Sequence, residues 1–208
     1  MHGRGTQAQR ELQRRVKKAQ ELMDGQDFDE ARLLLLELRR DCQRQGVRTA
    51  QVPWMLAIVG DYTRDADMAV QFIQEALQTD PLSVPVLRSF DIISGHLKGE
   101  LTSAERPADA EDTPRLYALL QQLGEADVPC HLAMARHEAH AGQLAEALHR
   151  LEAVVLLAPF AREAWALKAE VAGKLGDAAA AQRAALEAAA LGGDAPLRPF
   201  GVPGRAEG

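Results

Sequence analysis

A single step of 34 residues carries Gly142 onto Gly176 and Ala147 onto Ala181. The segment Ala141-Gly-Gln-Leu-Ala-Glu-Ala-Leu returns one step later as Leu175-Gly-Asp-Ala-Ala-Ala-Ala-Gln. A period of this length fits one helix–turn–helix unit of a helical repeat array. One unit cannot bury its own apolar face, so neighbours must stack. The chain is thereby confined to a run of packed helix pairs, an architecture that offers a surface for holding other molecules rather than a cleft for chemistry.

The rest of the sequence agrees with helices throughout. Apolar residues make up 47% of the chain and aromatics only 4%, with Ala and Leu dominant, so strand formers are scarce. Apolar periodicity and breaker residues divide the chain into ten helices in five pairs. The first pair is 7–24 and 28–45, with the break at Asp24-Gly25-Gln26-Asp27 and Asp27 and Glu30 spaced as a capping box. The second is 51–63 and 65–79, closed by Asp80-Pro81. The third is irregular: 84–98, then an acidic, Pro-containing surface loop at 99–112, then 114–123 after Thr113-Pro114. The fourth is 129–141 and 144–157, and the fifth 161–175 and 178–191. The expected organisation is one helical domain over 1–191, with units at 7–45, 50–81, 84–124, 128–159 and 161–191. A Gly- and Pro-rich tail, read as flexible, follows at 192–208.

The spacing of small and large residues within these units resembles the tetratricopeptide repeat. The best match has Ala135, Gly142, Ala147, Leu151, Val154 and Pro159. The next unit has Trp165, Ala169, Gly176, Ala181, Ala185 and Ala188, with Gly193 in place of the closing proline. An earlier unit has Trp54, Leu56, Ala57, Ala69, Ile73, Ala76 and Pro81, and the first has Phe28, Ala31, Leu35 and Leu38. The match is poor around Ser94 to Asp112. The resemblance implies an all-α, right-handed solenoid of antiparallel hairpins, about five in number, with an irregular third. It implies a non-enzymatic, bacterial-type adaptor that grips a partner peptide or helix in its concave groove. A structural self-assembling module and a secretion-type chaperone for an exported protein are the alternatives. The subtype that clamps a chaperone's C-terminal carboxylate with paired Lys and Asn is not expected, because the chain has no Asn.

In this family the first helix of each pair lines the groove. By that rule the second unit offers Gln51, Trp54, Ile58, Asp61 and Tyr62. The fourth offers Leu132, Arg136, Ala139 and His140, and the fifth Glu163, Ala166, Glu170 and Lys174. The first unit offers Val16, Gln20 and Met23. Trp54 and Tyr62 are the aromatic candidates for an anchor, although Trp54 also suits a place in the core between hairpins.

Charge is uneven. Residues 1–50 carry 11 Lys+Arg against 8 Asp+Glu, a net of +3, so the remainder carries −9 to reach −6 for the whole chain. Arg10, Arg14 and Lys18 recur every four residues and share a helix face. They form either a contact for an acidic partner or the solvated face of a terminal helix. Nucleic acid is not the expected partner, because the chain is acidic overall and no aromatics are interleaved with this basic face.

Other chemistry finds little support. His131, His137, His140 and His149 fall in one hairpin, but His137-Glu-Ala-His140 is one residue short of the zinc-protease spacing, so no metal site is expected. Cys130 follows Pro129 at a helix start, where thiol pKa values are lowered, yet no base pattern accompanies it. Glu105, Asp109, Glu111 and Asp112 lack the spacing of a calcium loop. Gly99, Gly124 and Gly142 stand alone rather than forming a phosphate loop, and no cofactor is expected. No apolar run is long enough to span a membrane. Cys42 and Cys130 form no disulfide framework. A cytoplasmic protein of a GC-rich bacterium is the simplest expectation, with homo-oligomers admitted.

Overall fold

The computed structural model describes residues 3–192. Among these there are ten helices and no strand: α1 (Gly3–Asp24), α2 (Phe28–Gln45), α3 (Gln51–Tyr62), α4 (Ala66–Thr79), α5 (Val84–Thr102), α6 (Thr113–Leu123), α7 (Val128–His140), α8 (Leu144–Leu157), α9 (Arg162–Lys174) and α10 (Ala178–Ala190). None is long and apolar enough to cross a membrane. The expected tail, including Leu197-Arg-Pro-Phe200, lies outside the described residues apart from Gly192. The chain falls into two compact units, one ending at Cys130 and one beginning at His131.

In the first unit each helix packs on the next: α1 on α2, α2 on α3, α3 on α4, α4 on α5, and α5 on α6. α3 also touches α5, and α4 touches α6. The core is drawn from one stripe of each helix: Ala31, Leu35 and Leu38 of α2, Val52, Leu56 and Val59 of α3, and Ala69, Ile73 and Ala76 of α4. Side chains one repeat apart meet across this stack. Arg39 Nε donates to both carboxylate oxygens of Glu75, 36 residues on, at 2.9 and 3.0 Å. Trp54 Nε1 donates to Ser89 Oγ, 35 residues on, at 2.8 Å. In the second unit α9 packs on both α8 and α10. Leu151, Val154, Ala164, Val171, Ala172 and Ala184 are buried there.

One turn geometry recurs at four hairpin tips. Gln26, Arg64, Gly142 and Gly176 all take positive φ, at 62°, 58°, 78° and 84°. The next residue then sends its N–H back five positions: Asp27 to Leu22, Asp65 to Gly60, Gln143 to Glu138 and Asp177 to Ala172. This is the left-handed helix ending that satisfies orphan carbonyls. The break falls in the expected turn at 24–27, where Gln26 rather than the neighbouring Gly25 takes the left-handed position. The next helix is then capped by Asp65, which accepts from Met68 N, and by Asp177, which accepts from Ala180 N. Asp27 makes no such bond, so the expected capping box does not form.

The third pair departs from this pattern. α5 continues through Gly99 to Thr102 because Leu101 is drawn into the core, so the loop spans 103–112 rather than 99–112. Arg106 ties this loop down, with Nε donating to Thr113 Oγ1 at 3.1 Å and its guanidinium paired to Asp112.

Candidate functional site

Beside the α3–α5 contact lies an open cleft of about 810 Å3. Its walls come from the C-terminal half of α3, the Arg64 turn, the start of α4, the outer face of α5 and the start of α6. Ile58, Asp61 and Tyr62, three of the residues expected from the sequence, line it together. Trp54 stands one turn earlier on α3 and is half-buried, its indole held by Ser89 of the cleft wall. It therefore braces α3 against α5 while leaving part of its ring accessible.

The facing wall was not anticipated. Ser89, Ile92 and His96 lie on one face of α5 and line the cleft. They sit one repeat beyond Trp54, Ile58 and Asp61, so the repeat step itself would have located them had the third unit been read as regular. His96 Nδ1 meets both carboxylate oxygens of Asp61, at 2.9 and 3.0 Å. Ile92, an apolar side chain of the cleft wall, is 53% exposed. Tyr62 is 68% exposed, and its ring stacks on Phe28 with centroids 5.1 Å apart and planes 13° apart.

The charges of the cleft are mostly paired. Asp61 meets His96, Arg115 pairs with Asp67, and Asp112 pairs with Arg106. Arg64 and the Glu100 carboxylate line the same cleft without an ion pair among the described residues.

The remaining candidates are placed differently. Val16 and Met23 are buried with Ala19, forming the apolar stripe of α1 rather than a groove lining, and Gln20 is exposed. Leu132 and Ala139 are buried and offer no surface to a partner. In the second unit Arg136 pairs with Glu163, His140 is exposed, and Lys174 holds Glu170 at 2.7 Å one helical turn away. Arg10, Arg14 and Lys18 are exposed, and Arg14 lies 4.0 Å from Glu11.

Cys130 is a packed side chain. It is fully buried, and desolvation together with its bond to the Asp127 carboxylate pushes its pKa up to about 11. A helix start that lowers a thiol pKa in the open is overridden here by burial. Burial also works to raise Asp127, but hydrogen bonds from Cys130 and the charge of Lys98 leave it lowered. Lys98 Nζ bonds Glu125 at 2.6 Å, and this bond is the chief cause of its raised pKa. Among the described residues no group of three or more His, Cys, Asp or Glu is arranged to hold a metal.

No family model and no curated protein matches the chain. Solved structures are similar at low identity. MamA (AMB-1) is 15% identical with a TM-score of 0.44, covering 90% of this chain and 94% of its own. YrrB, described as a TPR protein with an unusual peptide-binding site, is 16% identical with a TM-score of 0.39, covering 87% and 86%. PilF of Pseudomonas aeruginosa is 13% identical with a TM-score of 0.39, covering 88% and 77%. Likeness at this level assigns no residue a role, and the site rests on the geometry of this chain.

Proposed function

We propose that this protein is a non-enzymatic interaction module that holds a segment of a partner protein in the cleft between α3 and α5. The observation that carries this reading is the cleft itself. Two exposed apolar side chains on successive hairpins, Tyr62 and Ile92, line it with half-buried Ile58 and several polar groups. An apolar floor with a few placed polar groups is the usual make-up of a recognition site. A cytoplasmic setting is part of the proposal and accords with two buried free thiols, Cys42 and Cys130.

The test is capture of partners from native lysate by the wild type, a Tyr62→Ala/Ile92→Asp variant and a Leu33→Ala control. Leu33 is exposed on α2 and does not line the cleft. A partner retained by the control and lost by the cleft variant, with helicity unchanged, supports the reading. A partner retained by all three moves the site elsewhere.

Self-assembly is a second reading, favoured by the second unit. Leu156, Leu157 and Phe160 are 83%, 71% and 71% exposed around the α8–α9 junction. Patches of this kind mark association surfaces. Light scattering of the wild type, of Leu156→Asp/Phe160→Asp and of a chain ending at Leu191 tests it. A monomer mass in all three ends this reading.

A further inference from the structure

We infer that the cleft is shaped for an amphipathic helix of a partner protein, anchored by a carboxylate on Arg64 and packed closely over Gly95 and Gly99 of α5. This rests on the cleft reading above and adds the form and charge of the occupant.

Arg64 combines three properties. It lines the cleft and makes no ion pair among the described residues. It also holds a left-handed backbone at φ 58°, in a turn position that glycine fills at 142 and 176. A side chain there is costly, and such strain is a reason to look for a role. Gln26 shares the backbone but does not line this cleft, whereas Arg64 joins that conformation to a cation on the cleft wall. With Asp61, Asp112 and Arg115 already paired, Arg64 and the Glu100 carboxylate line the cleft without an ion pair among the described residues. Charge complementarity therefore asks the partner for an acidic group facing Arg64 and a basic one facing Glu100.

The form of the occupant follows from the surface beside the cleft. Gly95 and Gly99 are one turn apart on the exposed face of α5, in the turns that follow Ile92, and a Cβ at either would meet nothing within 4 Å. Without side chains, that stretch lets a second helix axis approach at the short end of packing distances. Ile58 and Tyr62 on α3, four residues apart, form a ridge that receives apolar residues at i and i+4 of such a helix.

Two displayed peptide libraries test this against the intact protein. One holds 18-residue helical peptides with fixed Leu at i and i+4 and randomised flanks. The other holds Pro-containing extended peptides with the same apolar content. The expected result is binders from the helical library, enriched in Asp or Glu on one flank. Their affinity should fall at least tenfold with Arg64→Gly and with Gly99→Leu, while Arg64→Gly melts higher than wild type and Gly99→Leu keeps its helicity. A gain in stability with a loss of binding is not what a structural role for Arg64 produces. Binders only from the extended library, no binders at all, or helical binders indifferent to both substitutions overturn the inference. Binders lost with Ile92→Asp but tolerant of Gly99→Leu would keep the cleft and discard the helix. Binders indifferent to Ile92→Asp would discard the cleft itself.

Discussion

Three glycines of the first unit should respond to alanine with opposite signs. Gly60 lies in α3 where that helix meets α4. A Cβ built there falls 2.6 Å from Ala69 N, 3.0 Å from Ala69 Cα and 3.1 Å from Asp65 O. All three are backbone atoms, so no rotamer change relieves the clash. The two helices must part, loosening the Asp65 cap on Met68 N at 3.1 Å. Overpacking of this kind costs about 3 kcal/mol at the upper end of its range, and alanine returns about 1 kcal/mol of helix propensity. Gly60→Ala should therefore destabilise by roughly 2 kcal/mol. Gly95 and Gly99 have open space where a Cβ would stand and no left-handed backbone. Gly95→Ala/Gly99→Ala should stabilise by roughly 1.5–2 kcal/mol, the propensity gain alone. Urea unfolding followed by far-UV circular dichroism separates the two variants by about 3.5–4 kcal/mol if the m-value is unchanged. A neutral Gly60→Ala, or a destabilised Gly95→Ala/Gly99→Ala, would refute this account of how α3, α4 and α5 pack.

Further outcomes follow from the second unit and the Cys130 site. Glu138 is 4% exposed and is held by Arg150 Nε at 2.9 Å and Nη2 at 2.6 Å. Arg150→Met strands a buried carboxylate and should cost about 3–5 kcal/mol in a urea titration, whereas Glu138→Leu/Arg150→Met should recover most of it. Cys130 titrates at about 11, so roughly one thiol in a thousand is ionised at pH 8, and iodoacetamide should label it only after unfolding. Because burial raises this pKa from 9.0 to about 11, the neutral thiol's contribution to stability is intact below pH 9 and lost as pH rises towards 11. Thermal melts across that window should fall less steeply for Cys130→Ala than for the wild type.

The helices were legible because period and punctuation agree. α2 and α8 occupy the spans expected from their apolar stripes, bounded by breaker residues on either side. Gly99 misled, since an isolated glycine in a helical pattern reads as a break. Leu101, buried two residues before the loop, holds α5 helical beyond Gly99. Part of the proposed cleft was legible for the same reason. Ile58, Asp61 and Tyr62 follow from the repeat rule, whereas Ser89, Ile92 and His96 lie where the motif letters fade though the packing continues. Val16 and Met23 show the limit of periodicity. It identifies one face of a helix but not whether a neighbouring helix or a partner covers it. Leu132 fails likewise. Arg64 was invisible because a left-handed backbone at a residue other than glycine leaves no mark in the sequence.

Amide hydrogen exchange of the protein with and without a captured partner tests the central claim most directly. The account predicts new protection concentrated in residues 58–64 and 89–100, on both walls of the cleft, with the α8–α9 junction unchanged. Protection confined to the basic face of α1 or to Leu156, Leu157 and Phe160, with both walls exchanging as in the free protein, would contradict it.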